Sequence, residues 1–272
     1  MLAGGGFVYW QKTRFPARSV PLAGTPIVLR VQNGVGRWEL RAIRVGLRVA
    51  SRFMATELRR PVHGPVEARV AHTNSCRPFQ AAGGALMGQG ERGFVCIDTR
   101  SLSWSYLVRT DFVGASSVAA HEYVHVLQGE LGCLPAPGGQ HYRWLIEGMA
   151  TEVAWRALER ARRATEASVK RAIRADGPLD PDLYPLWRYE REDGRDHEYA
   201  LWHVAVRSLM REVVHARAAP PARPELSLLR FCRSVATGEP WRLAFTRSFG
   251  VSLERFYARF EAARRRGNEL LR

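Results

Sequence analysis

The chain has 272 residues, 46% hydrophobic and 10% aromatic, and carries a formal net charge of +15. That composition supplies a core and excludes a disordered chain, and no run is long and apolar enough to cross a bilayer as a helix. The charge invites a nucleic-acid reading, but all of the 41 basic residues except Lys12 and Lys170 are arginine, a skew that reads as codon bias. The arginines read as scattered, without a continuous stripe or stacking platforms, so no nucleic-acid partner is expected.

Residues 1–35 contain Pro16, Pro21, Pro26 and several glycines, and read as an extended N-terminal leader outside the core. Within it, Leu2 to Trp10 is a short glycine-rich apolar run followed by Lys12, Arg14 and Arg18. It is too short for a complete signal peptide or membrane helix. It reads equally as the stump of a membrane anchor, implying a membrane-anchored or extracytoplasmic protein, or as the flexible terminus of a cytoplasmic one.

From Trp38 to Leu58 apolar residues recur at helical intervals with arginines on the other face, which predicts an amphipathic helix closed by Pro61. Val66 to Thr73 alternates and is β-branched enough for a strand. Gly83 to Gly90 followed by Phe94-Val95-Cys96-Ile97 predicts a turn-rich hairpin with a buried strand. Ser116 or Ser117 is placed to cap a helix running through His121 and His125 and ending near Gly129 or Gly132. A loop with Pro135, Pro137, Gly138 and Gly139 precedes a second helix beginning near Trp144. Beyond the proline-rich span Pro178 to Pro185, helical patterns return at Tyr199 to Val214, Leu226 to Val235, Pro240 to Phe249 and Leu253 to Arg264. The basic runs Arg160–Arg163 and Arg264–Arg266 read as solvated helix faces. The prediction is α+β: one domain over 36–266, with a small mixed sheet and helices to about 132 and a mainly helical lobe from about 140.

Cys76, Cys96, Cys133 and Cys232 form no CxxC pair, so a cysteine zinc knuckle is not expected. Two disulfides in an oxidising compartment and buried thiols in the cytosol both remain open. Cys96, after Phe94-Val95, reads most simply as a core residue.

The chemistry concentrates in His121-Glu122-Tyr123-Val124-His125, an HExxH string. Residues i and i+4 share one face of a helix, so both imidazoles can address one ion, while Glu122 lies about 100° round the helix and can reach a water without ligating. Catalytic zinc takes three protein ligands and leaves one position open. One class of such enzymes places a third histidine six residues after the second, with a glycine between; Leu131 and Gln128 hold those positions here and exclude it. The other takes a glutamate from the next helix, and Glu147 in Trp144-Leu145-Ile146-Glu147-Gly148-Met149-Ala150-Thr151 lies there, with small Gly148 and Ala150 to let that helix approach the first. Glu130, His141 and Glu152 are rival third ligands. His197-Glu198 starts a second apparent motif, but Leu201 breaks it. Trp144 and Trp155 read as packing residues, and His203 and His215 as structural histidines.

These two segments resemble the gluzincin metallopeptidases, in particular the peptidase-MA-like group related to the thermolysin and aminopeptidase catalytic domains. The match lies in His121 to Gln128 and Trp144 to Thr151, with weaker likeness from Tyr199 onward and in Ala244-Phe245 with Phe249 to Leu253. The resemblance implies a zincin-like fold and one Zn2+ per chain held by His121, His125 and Glu147. It implies peptide-bond hydrolysis by a metal-activated water, with Glu122 as general base and Tyr199 as the second electrophile. The aminopeptidase GxMEN motif is not evident, so that specificity does not carry over. The alternative is an inactive metallopeptidase-like fold that binds a protein or an anionic polymer. A peptide or protein substrate is the expected partner, with membrane association through the N-terminus if that segment is an anchor.

Overall fold

A computed structural model of the chain describes residues 17–71, 84–87, 93–99, 102–134, 142–175, 183–190, 198–216 and 224–266. Five strands form one mixed sheet in the order β1-β2-β3-β5-β4: β1 (Ala17–Pro21), β2 (Ile27–Gln32), β3 (Val66–Ala71), β4 (Gly84–Met87) and β5 (Gly93–Asp98). β2, β3 and β5 run parallel, and β1 and β4 are antiparallel edges. Nine α-helices are described: α1 (Arg37–Thr56), α2 (Leu102–Thr110), α3 (Phe112–Glu130), α4 (Arg143–Arg160), α5 (Glu166–Ala175), α6 (Tyr199–Ala216), α7 (Glu225–Ala236), α8 (Trp241–Phe249) and α9 (Leu253–Arg265). A short 3-10 helix, Leu186–Glu190, precedes α6. The protein is therefore α+β, with a small mixed sheet and mostly helices.

The chain divides into two compact units, Met1–Arg52 with Val62–Val126 and Phe53–Pro61 with Leu127–Arg272. Helix α3 is continuous across the Val126–Leu127 boundary.

In the first unit the sheet begins earlier than the sequence suggests. Residues 1–35 were expected outside the core, yet the described part from Ala17 onward supplies β1 and β2, and Leu22, Ile27, Leu29 and Val31 are buried. The prolines sit where they cost no ladder bond: Pro21 ends the edge strand β1, and Pro26 lies just before β2. Strand β2 then reads B-e-B-i-B-i, an alternation that the surrounding glycines and prolines obscured. The Val66 strand and the Phe94 strand appear as β3 and β5, with β4 and β5 antiparallel as expected for the hairpin; residues 72–83 and 88–92 lie outside the described residues.

Helix α1 crosses from β2 to β3, burying Leu40, Ile43, Leu47 and Ala50. Two glycines seat α3 in this unit. A Cβ on Gly46 of α1 would lie 2.1 Å from the Ser116 carbonyl oxygen, and a Cβ on Gly93 of β5 would lie 2.3 Å from Val126 Cγ1. Any larger residue would push α3 away from its neighbours. The start of α3 is also earlier than Ser116: Asp111 Oδ1 accepts from the backbone N–H groups of Val113 and Gly114, which makes it the cap. Ser116 and Ser117 instead donate back to the carbonyls of Phe112 and Gly114 inside the helix. α2, just before it, has no counterpart among the elements predicted from the sequence.

In the second unit, aromatic rings anchor the beginning of α4. Trp144 is fully buried, stacks on Phe256 at 6.0 Å, and donates from Nε1 to the Tyr257 hydroxyl at 3.1 Å. Cys133, three residues past α3, is disulfide-bonded to Cys232 of α7. Cys96 is also disulfide-bonded and buried, so it is a cross-linked core residue and not a packed thiol; Cys76 lies outside the described residues. Arg264 departs from the solvated-face reading: its side chain is 10% exposed, paired with Glu261 at 2.9 Å and bonded to the Leu183 carbonyl. Trp155 is buried, in line with its packing role.

The arginines of α1 are not scattered. Arg37, Arg41, Arg44, Arg48 and Arg52 recur at three- and four-residue intervals on the face opposite the buried residues.

Candidate metal centre

His121 and His125 stand one turn apart in the middle of α3, a helix buried nearly all round. Their Nε2 atoms are 2.9 Å apart and their rings meet edge-on at 86°. Glu147, the fifth residue of α4, supplies the third donor: one ligand atom from each of His121, His125 and Glu147 lies within 4.8 Å of the other two. These three residues can hold a metal ion.

The donor set fits zinc. Ligands at about 2.0–2.2 Å around a tetrahedral zinc stand roughly 3.3–3.6 Å from one another. The observed separations, from 2.9 Å to at most 4.8 Å, bracket that range. Two nitrogens and a carboxylate oxygen are also the chemistry borderline-soft Zn2+ accepts. Without an ion, one imidazole would have to donate its proton to the other, and both nitrogens would be spent on a single bond.

Several local interactions put these atoms where they are. Gln128, buried and one turn beyond Val124, donates its side-chain amide to the Ile146 carbonyl at 2.9 Å. That bond joins the last turn of α3 to the residue immediately before Glu147. In the sequence, a polar amide at Gln128, one turn beyond the apolar Val124, is the signal of a tertiary role. Arg143, one turn before Glu147, approaches Glu147 Oε1 at 3.9 Å and lies over the Trp202 ring at 6.0 Å.

Gly148 has a different neighbour from the one expected. A Cβ there would lie 2.5 Å from the Trp202 carbonyl oxygen and 2.6 Å from Val206, so its smallness serves the packing of α4 on α6, not an approach to α3. Glu122 is buried, 5% exposed, on the turn between the two histidines. Tyr199 is the first residue of α6, half-buried, with its ring 5.0 Å from that of Trp202.

Two of the rival ligands, Glu152 and Glu130, lie among the described residues. Glu152 is completely buried and committed elsewhere: His203 Nε2 lies 2.9 Å from Oε2, Arg156 Nε 2.7 Å from Oε1, and Arg207 Nη1 3.6 Å from Oε2. Burial alone would raise this carboxyl, but the His203 hydrogen bond and charge, then Arg156 and Arg207, outweigh it and bring it down to about 2. His203 is thus a structural histidine, as its isolation in the sequence implied. Glu130 is not among the three donors. His141 and His197 lie outside the described residues, and Glu198 accepts from the Tyr189 hydroxyl at 2.8 Å.

No protein-family model matches the chain, and no curated protein matches it.

Proposed function

We propose that this protein is a zinc-dependent metallopeptidase of the gluzincin type with a zincin-like fold, hydrolysing peptide bonds with Glu122 as general base. The observation that carries the reading is the convergence of His121, His125 and Glu147 donor atoms within 4.8 Å, from a helix string and a carboxylate 22 residues further on. One Zn2+ per chain is the ion proposed. When bound, zinc supplies Lewis acidity to a substrate carbonyl and lowers the pKa of a coordinated water to about 7.

The chain's own part is positional and protonic. His121 and His125 present neutral Nε2 lone pairs from one helix face, and Glu147 supplies the anionic donor. Glu122, projecting about 100° from His121, accepts a proton from the attacking water and returns it to the leaving nitrogen. Burial of Glu122 keeps the transfer out of bulk solvent, where electrostatic interactions are weaker. Tyr199 is assigned the second electrophile's role on resemblance alone, and half-burial at a helix start is compatible with it.

The test is a peptide-library digest by zinc-loaded protein beside Glu122→Gln, with metal content measured on both. The proposal expects about one zinc in each and a loss of hydrolysis on the order of 10²–10⁴-fold in the variant. Zinc bound by a wild-type chain that cleaves nothing would leave the binding-module alternative standing. No zinc after loading would remove the metallopeptidase reading.

A further inference from the structure

We infer that the outward face of α1 is a docking surface for an anionic lipid bilayer, independent of the metal centre. At 100° per residue, Arg37, Arg41, Arg44, Arg48 and Arg52 fall within a sector roughly 80° wide, and at 1.5 Å per residue they span about 22 Å along the helix. Arg37, Arg41, Arg48 and Arg52 are exposed and Arg44 is half-buried. Among the described residues no carboxylate is paired with Arg37, Arg41, Arg44 or Arg48. Elsewhere arginine is routinely matched: Arg30 with Glu67, Arg160 with Glu57, Arg242 with Glu254. Like charges one turn apart repel, and an external anion would relieve Arg37, Arg41, Arg44 and Arg48 of that repulsion.

Trp38 identifies the anion. It is 52% exposed at the N-terminal end of the row, and the guanidinium carbons of Arg37 and Arg41 lie 5.6 and 5.3 Å from its ring centroid. A tryptophan flanked by arginines is suited to the headgroup layer, where the ring enters the interface and the cations meet lipid phosphates. Val45 and Val49, half-buried, lie beside the row on the same side as Trp38. A straight row of charges also fits a plane. A nucleic-acid strand would call for successive aromatic platforms, whereas Trp38 is the single exposed aromatic of this helix.

Vesicle flotation of the full chain tests this, using phosphatidylglycerol–phosphatidylcholine vesicles against phosphatidylcholine alone at physiological salt. Binding to the anionic vesicles is expected to be stronger by roughly tenfold or more, and to be lost at high salt. The triple variant Arg41→Glu/Arg44→Glu/Arg48→Glu should lose that preference. A charge-matched control on exposed arginines elsewhere, Arg230→Glu/Arg233→Glu/Arg255→Glu, should keep it within about twofold. Because reversed charges can unsettle a helix, the Gln versions of the same three α1 sites, with unchanged circular dichroism and thermal unfolding, should also lose it. Equal losses in stripe and control variants would overturn the inference as mere net charge. Equal binding to both vesicle types would overturn it too, as would a duplex DNA that displaces the protein from anionic vesicles at equal phosphate concentration.

Discussion

Glu147 and Glu152 leave α4 about 140° apart, and the charges that meet them differ in kind. Glu152 is sealed inside the second unit against His203, Arg156 and Arg207. Permanent guanidinium charges and a hydrogen bond satisfy its oxygens completely. Glu147 keeps a side chain 16% exposed, with one arginine at 3.9 Å and two imidazole Nε2 atoms close by. Two imidazoles and a carboxylate can each turn a lone pair toward one point, so that cluster gains most from a cation supplied from outside. A carboxylate enclosed by built-in cations is structural; one gathered with lone-pair donors is placed where it could serve an ion.

The strongest test of this contrast is Glu152→Ala. It should cost about 3–5 kcal/mol of stability by leaving Arg207 and His203 in a buried site without their counter-charge. Denaturant unfolding reads the loss, and zinc stoichiometry of the folded fraction should stay near one. A variant that lost zinc while remaining stable would exchange the roles of the two carboxylates.

Acid provides a second handle. The Glu152 carboxyl titrates at about 2 in the folded protein and at an ordinary 4.5 when free of these partners. Its contribution is therefore fully present above pH 4.5 and is lost as the pH falls toward 2, ~3 kcal/mol in all. The stability gap between wild type and Glu152→Gln should be wide at pH 6 and narrow steadily below pH 4.5. A gap independent of pH would show that the carboxylate's charge is not what stabilises.

Glu147→Ala reverses the pattern. Zinc affinity should fall by on the order of 100-fold, about 2.7 kcal/mol, in a competition titration with a chromophoric chelator. Thermal stability of the metal-free protein should change by less than about 1 kcal/mol, the scale of a partly exposed ion pair. The smallest effect on the metal is expected from Gly148→Ala, whose methyl would meet the Trp202 carbonyl oxygen at 2.5 Å. Displacing α4 from α6 should cost about 1–3 kcal/mol. It should also weaken zinc binding slightly, since Glu147 is the preceding residue; unchanged melting would show that α6 gives way freely.

Much of this contrast could be read without coordinates. HExxH places two donors on one face through helical period alone, and a carboxylate at the start of the following helix needs only a count of residues. The long helices α1, α4 and α6 to α9 were equally legible, because each carries a periodic apolar face or a clear terminus. β1 and β2 were not. Their prolines and glycines resemble a leader, and only pairing of β2 with β3, more than thirty residues away, makes the alternation meaningful.

What the chain determined by itself is local: which side chains share a helix face, where the HExxH string lies, and that arginine covers one side of α1. Tertiary structure decided the rest. Gln128 reaches the Ile146 carbonyl, Gly46 and Gly93 seat α3, and Cys133 finds Cys232 across 99 residues. It also chose Glu147 over Glu152, although both are glutamates in the same helix. The reason is physical. A carboxylate's role depends on the charges and donors around it, and those come from segments far away in the chain, which no local periodicity encodes.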